Sequence, residues 1–237
     1  MNRNELKWLR EFAEKNNQDL ETLLKRRESG EPLQYILGEW EFYGYNFKVG
    51  KGVLIPRPET EFLVDLAKEH KPKRVYDLCA GSGCVGIALS RETGCEVIAV
   101  EFFDEAIAYL KQNATEKIKI IKDDVLKPAF DYEEADCILV NPPYLTKSEM
   151  NELQREVRHE PETALFGGDD GLDFYRGIFR IWGGALKQGG LFAVEVGGKQ
   201  ARQVAEIMES NGFSPHIKKD YSGIERIVYT IKGDKNA

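Results

Sequence analysis

Four consecutive residues, Asn141-Pro142-Pro143-Tyr144, carry the clearest chemical signal in the sequence. They directly follow the apolar run 137–140, so they lie just past the carboxyl end of a predicted buried strand. Prolines donate no backbone N–H and hold φ at about −65°, which leaves a rigid row of carbonyl oxygens without competing donors. The Asn141 side-chain oxygen and the Pro142 carbonyl could each accept one hydrogen of a planar –NH₂ group while Tyr144 lies against its face. The pattern favours a site for an amide or an exocyclic amino group.

Taken on their own, the two prolines are better explained by a stiff turn that leaves the strand, with Tyr144 covering the edge of the core. Two observations favour a site instead. No residue separates the tetrapeptide from its strand, and a second pattern typical of ligand binding lies at the corresponding end of an earlier strand.

The second pattern is the loop Ala80-Gly81-Ser82-Gly83 between the predicted strand 75–79 and a helix. Glycines let the backbone approach a ligand closely, and the amino terminus of a helix favours a negative group such as a carboxylate. Glu101 ends the next strand, at the spacing from Asp77 at which an acid binds the two hydroxyls of a ribose. Asp124 ends a third strand. Three carboxylates beside one glycine loop predict a nucleoside site.

Alternating strand and helix patterns must position both sites. From residue 74 onward such repeats predict a mostly parallel sheet that is covered by helices on both faces. The short Tyr221-Ser222-Gly223 connection suits a hairpin, so one terminal strand should run antiparallel. The sequence therefore predicts an α/β fold with a seven-stranded, mostly parallel sheet and one antiparallel strand. The predicted strands are 75–79, 95–101, 118–121, 135–140, 191–196, 215–219 and 226–231.

Two small segments are predicted ahead of the main domain. Apolar residues recur at helical spacing through segment 1–30 and predict two short helices. Segment 31–52 holds the aromatic-rich runs 33–38 and 40–49, with Gly44 in a turn position, and this pattern favours a β-hairpin. Because the helices are too small to fold alone, they must pack on the main domain or on another copy of the chain.

The main domain, predicted over residues 53–237, opens on a loop that is stiffened by prolines. Thr60 is placed as the cap of the helix that follows the loop. Arg57 lies on the same loop, where it could close over a ligand or belong only to a solvated helix start. The sequence leaves these two roles of Arg57 open.

The composition bounds the class of function. Of the 237 residues, 42% are hydrophobic, which is enough for one medium domain with a small appendage. The net charge of −7 and the isoelectric point near 5.2 argue against a large nucleic-acid footprint, because such binding depends on neutralising phosphates. No stable nucleic-acid binding is expected.

Cysteine and histidine positions, together with hydropathy, predict the compartment. Cys79, Cys84, Cys95 and Cys137 show no C-x-x-C pairing, as is typical of proteins in a reducing compartment. The three histidines lack metal-ligand spacing, so no metal is predicted. The amino terminus has no apolar signal region, and no apolar run reaches about 18 residues. We therefore predict a cytoplasmic protein with no membrane partner.

The loop from Asp77 to Gly83 resembles the Asp/Glu-x-G-x-G-x-G motif of S-adenosylmethionine-dependent methyltransferases, with Cys79 in place of the first glycine. It lacks the glycine spacing of a dinucleotide fold and is followed by no Walker lysine. Together with Asn-Pro-Pro-Tyr after the fourth strand, the chain is similar to the amino-group methyltransferases. These enzymes act on adenine in DNA, on guanine in RNA or on glutamine side chains in proteins.

Flanking sequences narrow the resemblance to the protein-(glutamine-N) methyltransferases that modify peptide-chain release factors. They are Glu-Pro-Leu-Gln-Tyr-Ile-Leu-Gly at 31–38, Phe-Tyr-Gly at 42–44, Leu-Ile-Pro-Arg-Pro-Glu-Thr-Glu at 54–61 and the run 160–172. The match extends from residue 31 to the end of the chain. Two features depart from the family pattern: a helical domain larger than segment 1–30 usually precedes the hairpin, and Glu101 stands where Asp is common.

The resemblance implies a class I, Rossmann-like methyltransferase that modifies the glutamine of the Gly-Gly-Gln motif in class 1 release factors and so acts in translation termination. S-adenosylmethionine would be the cofactor and S-adenosylhomocysteine the product. The implied cofactor-binding residues are Asp77, Cys79, Ala80, Gly81, Ser82 and Gly83 for the methionine part, Glu101 for the ribose, Phe102, Asp124 and Val125 for the adenine, and Asn141. Asn141, Pro142, Pro143 and Tyr144 would be catalytic and, with Arg57, would bind the substrate.

Two other functions stay open at this point. An amino-group methyltransferase that acts on a nucleic-acid base would need a flipped base and usually a basic recognition module, and the sequence has no basic tract. A non-catalytic binding module could keep the same fold for interaction only. The segment 155–171 is expected either to close one side of the substrate cleft or to form a solvated loop.

Overall fold

Two short helices open the part of the chain that the structure describes, which is residues 2–234 of a computed structural model. They are α1 (Arg3–Asn16) and α2 (Leu20–Glu28), as the helical spacing predicted. Buried Leu9 and Leu23 pack together with Leu33 and Ile36 of the next segment. Met1 and residues 235–237, at the ends of the predicted segments 1–30 and 53–237, lie outside the described residues.

The aromatic-rich region after these helices is only partly a hairpin. Strands β1 (Glu39–Phe42) and β2 (Tyr45–Lys48) pair around Tyr43 and Gly44, both of which have positive φ, as a tight hairpin turn requires. The run 33–38, predicted as part of the hairpin, instead forms helix α3 (Leu33–Leu37), ended by Gly38. That prediction was wrong because Leu33 and Ile36, three residues apart, lie on one face of a helix and there pack against Leu9 and Leu23.

A seven-stranded sheet forms the centre of the fold, in the spatial order β5-β4-β3-β6-β7-β9-β8. Strand β9 pairs antiparallel with both of its neighbours, and the other pairs are parallel, so the predicted sheet is confirmed. The strands are β3 (Arg74–Leu78), β4 (Glu96–Glu101), β5 (Ile118–Lys122), β6 (Ala135–Val140), β7 (Leu186–Glu195), β8 (His216–Lys219) and β9 (Glu225–Ile231).

Strand β7 begins at Leu186, five residues before the predicted start at 191. Its register on β6 shifts between the pairs made by Leu186 and Leu191, and Gly189 and Gly190 lie in the gap. The two glycines resemble a turn in the sequence, yet here they form an irregular stretch inside a strand.

Helices cover both faces of the sheet. One face carries α4 (Glu61–His70), α5 (Cys84–Thr93) and α6 (Asp104–Asn113); the other carries α8 (Asp173–Trp182) and α9 (Ala201–Ser210), while the short α7 (Lys147–Asn151) follows Tyr144. In β6 the side chains of Cys137 and Leu139 face α4 and α5, whereas Ile138 and Val140 face α8 and α9. By this alternation Asn141, the next residue, belongs to the α4 face.

Candidate active site

The carboxyl ends of the central strands meet at one edge of the sheet. The strand order reverses at β3, because β4 and β5 lie on one side of it and β6 and β7 on the other. A crevice forms at this switch point, which is where ligands bind in sheets of this kind. A cavity of about 300 Å³ occupies this crevice. The predicted residues that line it are Asp77, Cys79, Ala80, Gly81, Ser82, Glu101, Phe102, Asp124, Val125, Asn141, Pro143 and Arg57.

The loop after β3 requires left-handed backbone at three places. Cys79, Gly81 and Gly83 have φ of 57°, 56° and 79°. Cys79, which replaces the first glycine of the motif, keeps the conformation of a glycine there, at a cost of about 1–2 kcal/mol for a residue with a side chain. Gly83 lies behind the loop rather than in the cavity lining, and a Cβ on it would meet Leu110 Cδ1 at 2.3 Å.

Glu101 holds the loop as well as facing the cavity. One carboxylate oxygen accepts from Gly81 N–H at 2.8 Å, and the other accepts from Phe102 and Phe103 at 2.8 and 3.0 Å. A carboxylate has room for about four such bonds, so capacity remains for a ligand hydroxyl. The Phe102 and Phe103 rings lie half-exposed at the cavity and offer flat apolar faces.

Asp77 is a buried acid, only 3% exposed, that lines the same cavity. Burial, reinforced by the nearby Glu101 charge, raises its pKa from 3.8 to about 7, although a hydrogen bond from Gly86 N–H at 2.9 Å opposes the shift. Within residues 2–234 no lysine or arginine forms an ion pair with it. A ligand that brings a cationic amino group would supply the missing partner.

A second cavity, of about 570 Å³, lies on the other side of Asn141. Pro142 and Tyr144 line this cavity, whereas Pro143 lines the first one. Leu54, Arg57, Asn141 and Ala164 line both cavities. The two cavities therefore adjoin at these four residues, and Asn141 contributes to the lining of both.

Arg57 and Glu160 tie two walls of these cavities together. Arg57 Nη2 lies 2.5 Å from Glu160 Oε1, and Ile55 N–H donates to Glu160 Oε2 at 2.9 Å. Glu160 is buried, so this part of segment 155–171 is not a solvated loop. The tie joins the proline-rich loop 53–61 to that segment.

Residues 165–167 of the same segment pack against the end of the Asn-Pro-Pro-Tyr stretch. Leu145 N–H donates to Leu165 O at 2.8 Å, and Gly167 N–H donates to Leu145 O at 2.9 Å. A Cβ on Gly167 would lie 2.7 Å from Pro143 O and from Tyr144 Cα. Only glycine permits this approach, so Gly167 is a site-building residue that sequence reasoning did not single out.

Thr60 occupies the cap position of α4 but does not cap it, so that prediction was wrong. Residues 58–60 already form a 3₁₀ helix that runs into α4, which places Thr60 itself in helical conformation. Its hydroxyl, 1% exposed, instead accepts a hydrogen bond from Asn141 Nδ2 at 3.2 Å. The start of α4 therefore contacts the Asn141 side chain directly.

Glu195 is a second residue that sequence reasoning missed. It ends β7, whose Val194 pairs with Val140, so Glu195 lies beside Asn141 on the neighbouring strand. It is 3% exposed and lines the second cavity, and its Oε2 has no hydrogen-bond partner among residues 2–234. The available signal was the one that identified Glu101, an acid at the end of an apolar strand.

Comparison with known proteins gives two family matches. Residues 58–167 match the family model described as a methyltransferase small domain, and residues 6–38 match the PrmC N-terminal domain. The second match crosses the predicted boundary at residue 30, and the boundaries between segments stay a prediction.

Individual relatives and solved structures are also similar to this chain. The release factor glutamine methyltransferase of Clostridium acetobutylicum is 38% identical over 89% of this chain and 78% of its own length. That of Thermodesulfovibrio yellowstonii is 38% identical over 94% and 84%. The crystal structure of a methyltransferase from Pyrococcus furiosus superposes with a TM-score of 0.63 at 17% identity, over 81% of this chain and 91% of that one, which shows a shared fold. In the described part of this chain no helix is both long and apolar enough to cross a membrane.

Proposed function

Because the chain belongs to the family of release factor glutamine methyltransferases, we propose that it methylates the glutamine of the Gly-Gly-Gln motif in class 1 peptide-chain release factors. The methyl group comes from S-adenosylmethionine and goes to the side-chain amide nitrogen. The observation that carries the proposal is the meeting of two cavities at Asn141, one lined by acids and a glycine loop and one by Pro142 and Tyr144.

The first cavity fits S-adenosylmethionine. Asp77, a buried acid without a protein cation, suits the amino group of the methionine part, and the backbone of residues 80–83 suits its carboxylate. Glu101 suits the ribose hydroxyls, while Phe102, Asp124 and Val125 line the space for the adenine. When bound, the cofactor supplies an electrophilic methyl group on a sulfonium.

The second cavity supplies the acceptors for the substrate amide. An amide nitrogen is a poor nucleophile because its lone pair is delocalised into the carbonyl group. Asn141 Oδ1 and the Pro142 carbonyl accept its two hydrogens, hold it in place and raise its electron density, and Tyr144 covers the amide plane. No strong base is required beforehand, since the nitrogen becomes acidic only as it gains the methyl group.

The lining of the second cavity disfavours a nucleic-acid substrate. Glu149, Glu152, Glu156, Glu160 and Glu195 all line it, and Arg57 is its one cationic residue among residues 2–234. Phosphates bind where lysine and arginine neutralise them, so an acidic cleft repels a nucleic-acid backbone. A glutamine on a protein loop carries no such charge.

Mass spectrometry of release factor incubated with the protein and S-adenosylmethionine tests the proposal. We expect one added methyl group on the Gly-Gly-Gln glutamine. Asn141→Ala should lower the rate by about 100-fold or more while cofactor affinity changes far less, because the acceptor matters in the transition state. Asn16→Ala, an exposed change on α1, is the control. Equal losses of rate and cofactor affinity, or methylation of DNA or RNA instead, would contradict the proposal.

A further inference from the structure

The geometry points to a role for Glu195 and Thr60. We infer that Glu195, acting through Thr60, holds the Asn141 side chain in the orientation that methyl transfer requires. It rests on the proposed function, because it concerns the same acceptor site. Thr60 and Glu195 are positioning residues, since they act on the substrate only through Asn141.

Three side chains lie in a short row behind the site. Asn141 Nδ2 donates to Thr60 Oγ1 at 3.2 Å, and the Thr60 hydroxyl lies near the Glu195 carboxyl, whose Oε2 has no partner among residues 2–234. Thr60 and Glu195 are both buried, at 1% and 3% exposure, so water has little access to their side chains. It crosses from β6 through the start of α4 to β7, so three elements of the fold converge on it.

Proton counting assigns a direction to each contact in this row. A hydroxyl has one proton to donate, and an ionised carboxylate can only accept. The Thr60 proton therefore goes to Glu195, and Thr60 can then only accept from Asn141. Asn141 must present its –NH₂ to Thr60, which leaves Oδ1 to face the cavities as an acceptor.

A protonated Glu195 would remove that constraint. The carboxylic acid could donate to Thr60, whose own proton could then turn toward Asn141 Oδ1. The Asn141 amide could rotate by half a turn and present its –NH₂ to the substrate, where two donor groups would oppose each other. The charge on Glu195 thus selects the productive orientation of Asn141.

The surroundings of Glu195 place its ionisation near neutral pH. Burial is the main cause that raises its pKa from 4.5 to about 7, and the nearby Thr60 hydroxyl lowers it. Glu59 raises the pKa further, whereas Arg226 and Arg57 lower it. The titratable groups of Tyr144, Tyr175 and Cys84 also lie within its electrostatic reach. Since the active form is the ionised one, kcat should rise with pH through about 7.

Thr60→Val and Thr60→Ser test the row. Valine has the shape of threonine without the hydroxyl. In Thr60→Val, kcat at saturating cofactor should therefore fall by about 10- to 100-fold, as is usual for residues that orient a catalytic group. The Kd for S-adenosylmethionine should change less than about threefold. Serine restores the hydroxyl and should recover most of that loss. A Thr60→Val protein with wild-type kcat, or a Thr60→Ser protein as slow as Thr60→Val, would overturn the inference.

Glu195→Gln tests the charge. Glutamine can donate to Thr60, so kcat should fall and its rise through about pH 7 should disappear. A pH limb that stays near 7 in Glu195→Gln at saturating cofactor would overturn the inference. Calorimetric binding of S-adenosylmethionine verifies that each variant is folded.

A spectroscopic readout separates this inference from the proposed function. The ¹⁵N–¹H signals of the Asn141 side chain, assigned by their loss in Asn141→Ala, should shift with pH through about 7 in the wild-type protein and not in Glu195→Gln. This measurement needs no substrate, so it decides the inference even if release factor is not methylated. Signals that are unchanged between pH 5.5 and 8.5 in the wild-type protein would refute it.

Discussion

Glu160→Gln tests whether the tie between the two walls holds the substrate cleft in shape. Glu160 accepts from Arg57 with one oxygen and from Ile55 N–H with the other. Glutamine has the same size but only one acceptor oxygen. Its –NH₂ must therefore oppose one of the two donors, and the walls lose one bond between them.

The size of the effect follows from the type of bond that is lost. A hydrogen bond to a charged group contributes about 1.5–3 kcal/mol. Because the Arg57 side chain is 31% exposed, water can replace part of the lost hydrogen bond, and a net loss of about 1–2 kcal/mol remains. If the loosened walls must be ordered again when the release factor binds, its KM should rise about 5- to 30-fold. The Asn141 site is untouched, so kcat should change much less.

Steady-state kinetics with release factor as the varied substrate measures both quantities. Glu162→Gln is the matched control, because it makes the same change of charge two residues further on, at an exposed side chain. An equal rise of KM in both variants would mean that charge alone, rather than the tie, is responsible. A fall of kcat at constant KM in Glu160→Gln would show that the reasoning about the walls is incorrect.

Two further predictions concern the cofactor cavity. Gly86→Ala places a Cβ 2.8 Å from Asp77 Oδ2 and 2.7 Å from Val97 Cγ1, so the affinity for S-adenosylmethionine should fall about tenfold or more. Calorimetry measures this affinity. Gly184→Ala is the control and should leave the affinity unchanged, because its Cβ meets no described atom within 4 Å. The pKa of Asp77 is raised to about 7, so the folded protein retains a proton that the unfolded chain releases above about pH 4. The free energy of unfolding without cofactor should therefore fall as the pH rises from about 4 to 7. Asp77→Asn should remove part of that fall in urea unfolding at a series of pH values; a slope identical to wild type would contradict the raised pKa.

Local patterns predicted the strands and the acids at their ends. The apolar run before Asn141 and the one before Glu101 both form strands where expected, because a buried parallel strand needs a continuous apolar sequence. The run 33–38 was assigned to the hairpin because a short apolar run suits a strand and a short buried helix alike. Local sequence patterns were therefore enough to predict most strands of the sheet, but not the conformation of the short connecting elements.

Contacts between distant elements could not be predicted from the sequence. Glu195 was recognised as a strand residue, but its place beside Asn141 depends on β7 pairing with β6, and no local pattern encodes that order. The contact of Thr60 with Asn141 depends on where α4 packs against the sheet. The residues that are proposed to bind the ligands could thus be predicted from the sequence, while those that are proposed to orient Asn141 could be identified only once the strand order was known.

The place where the two cavities adjoin has a consequence for inhibition. Leu54, Arg57, Asn141 and Ala164 border both spaces, so a single molecule could extend from one into the other. A compound that links an adenosine to a glutamine-like amide through a short bridge would have its second half held at high effective concentration once the first is bound. It should compete with both natural ligands at once and bind more tightly than either half alone.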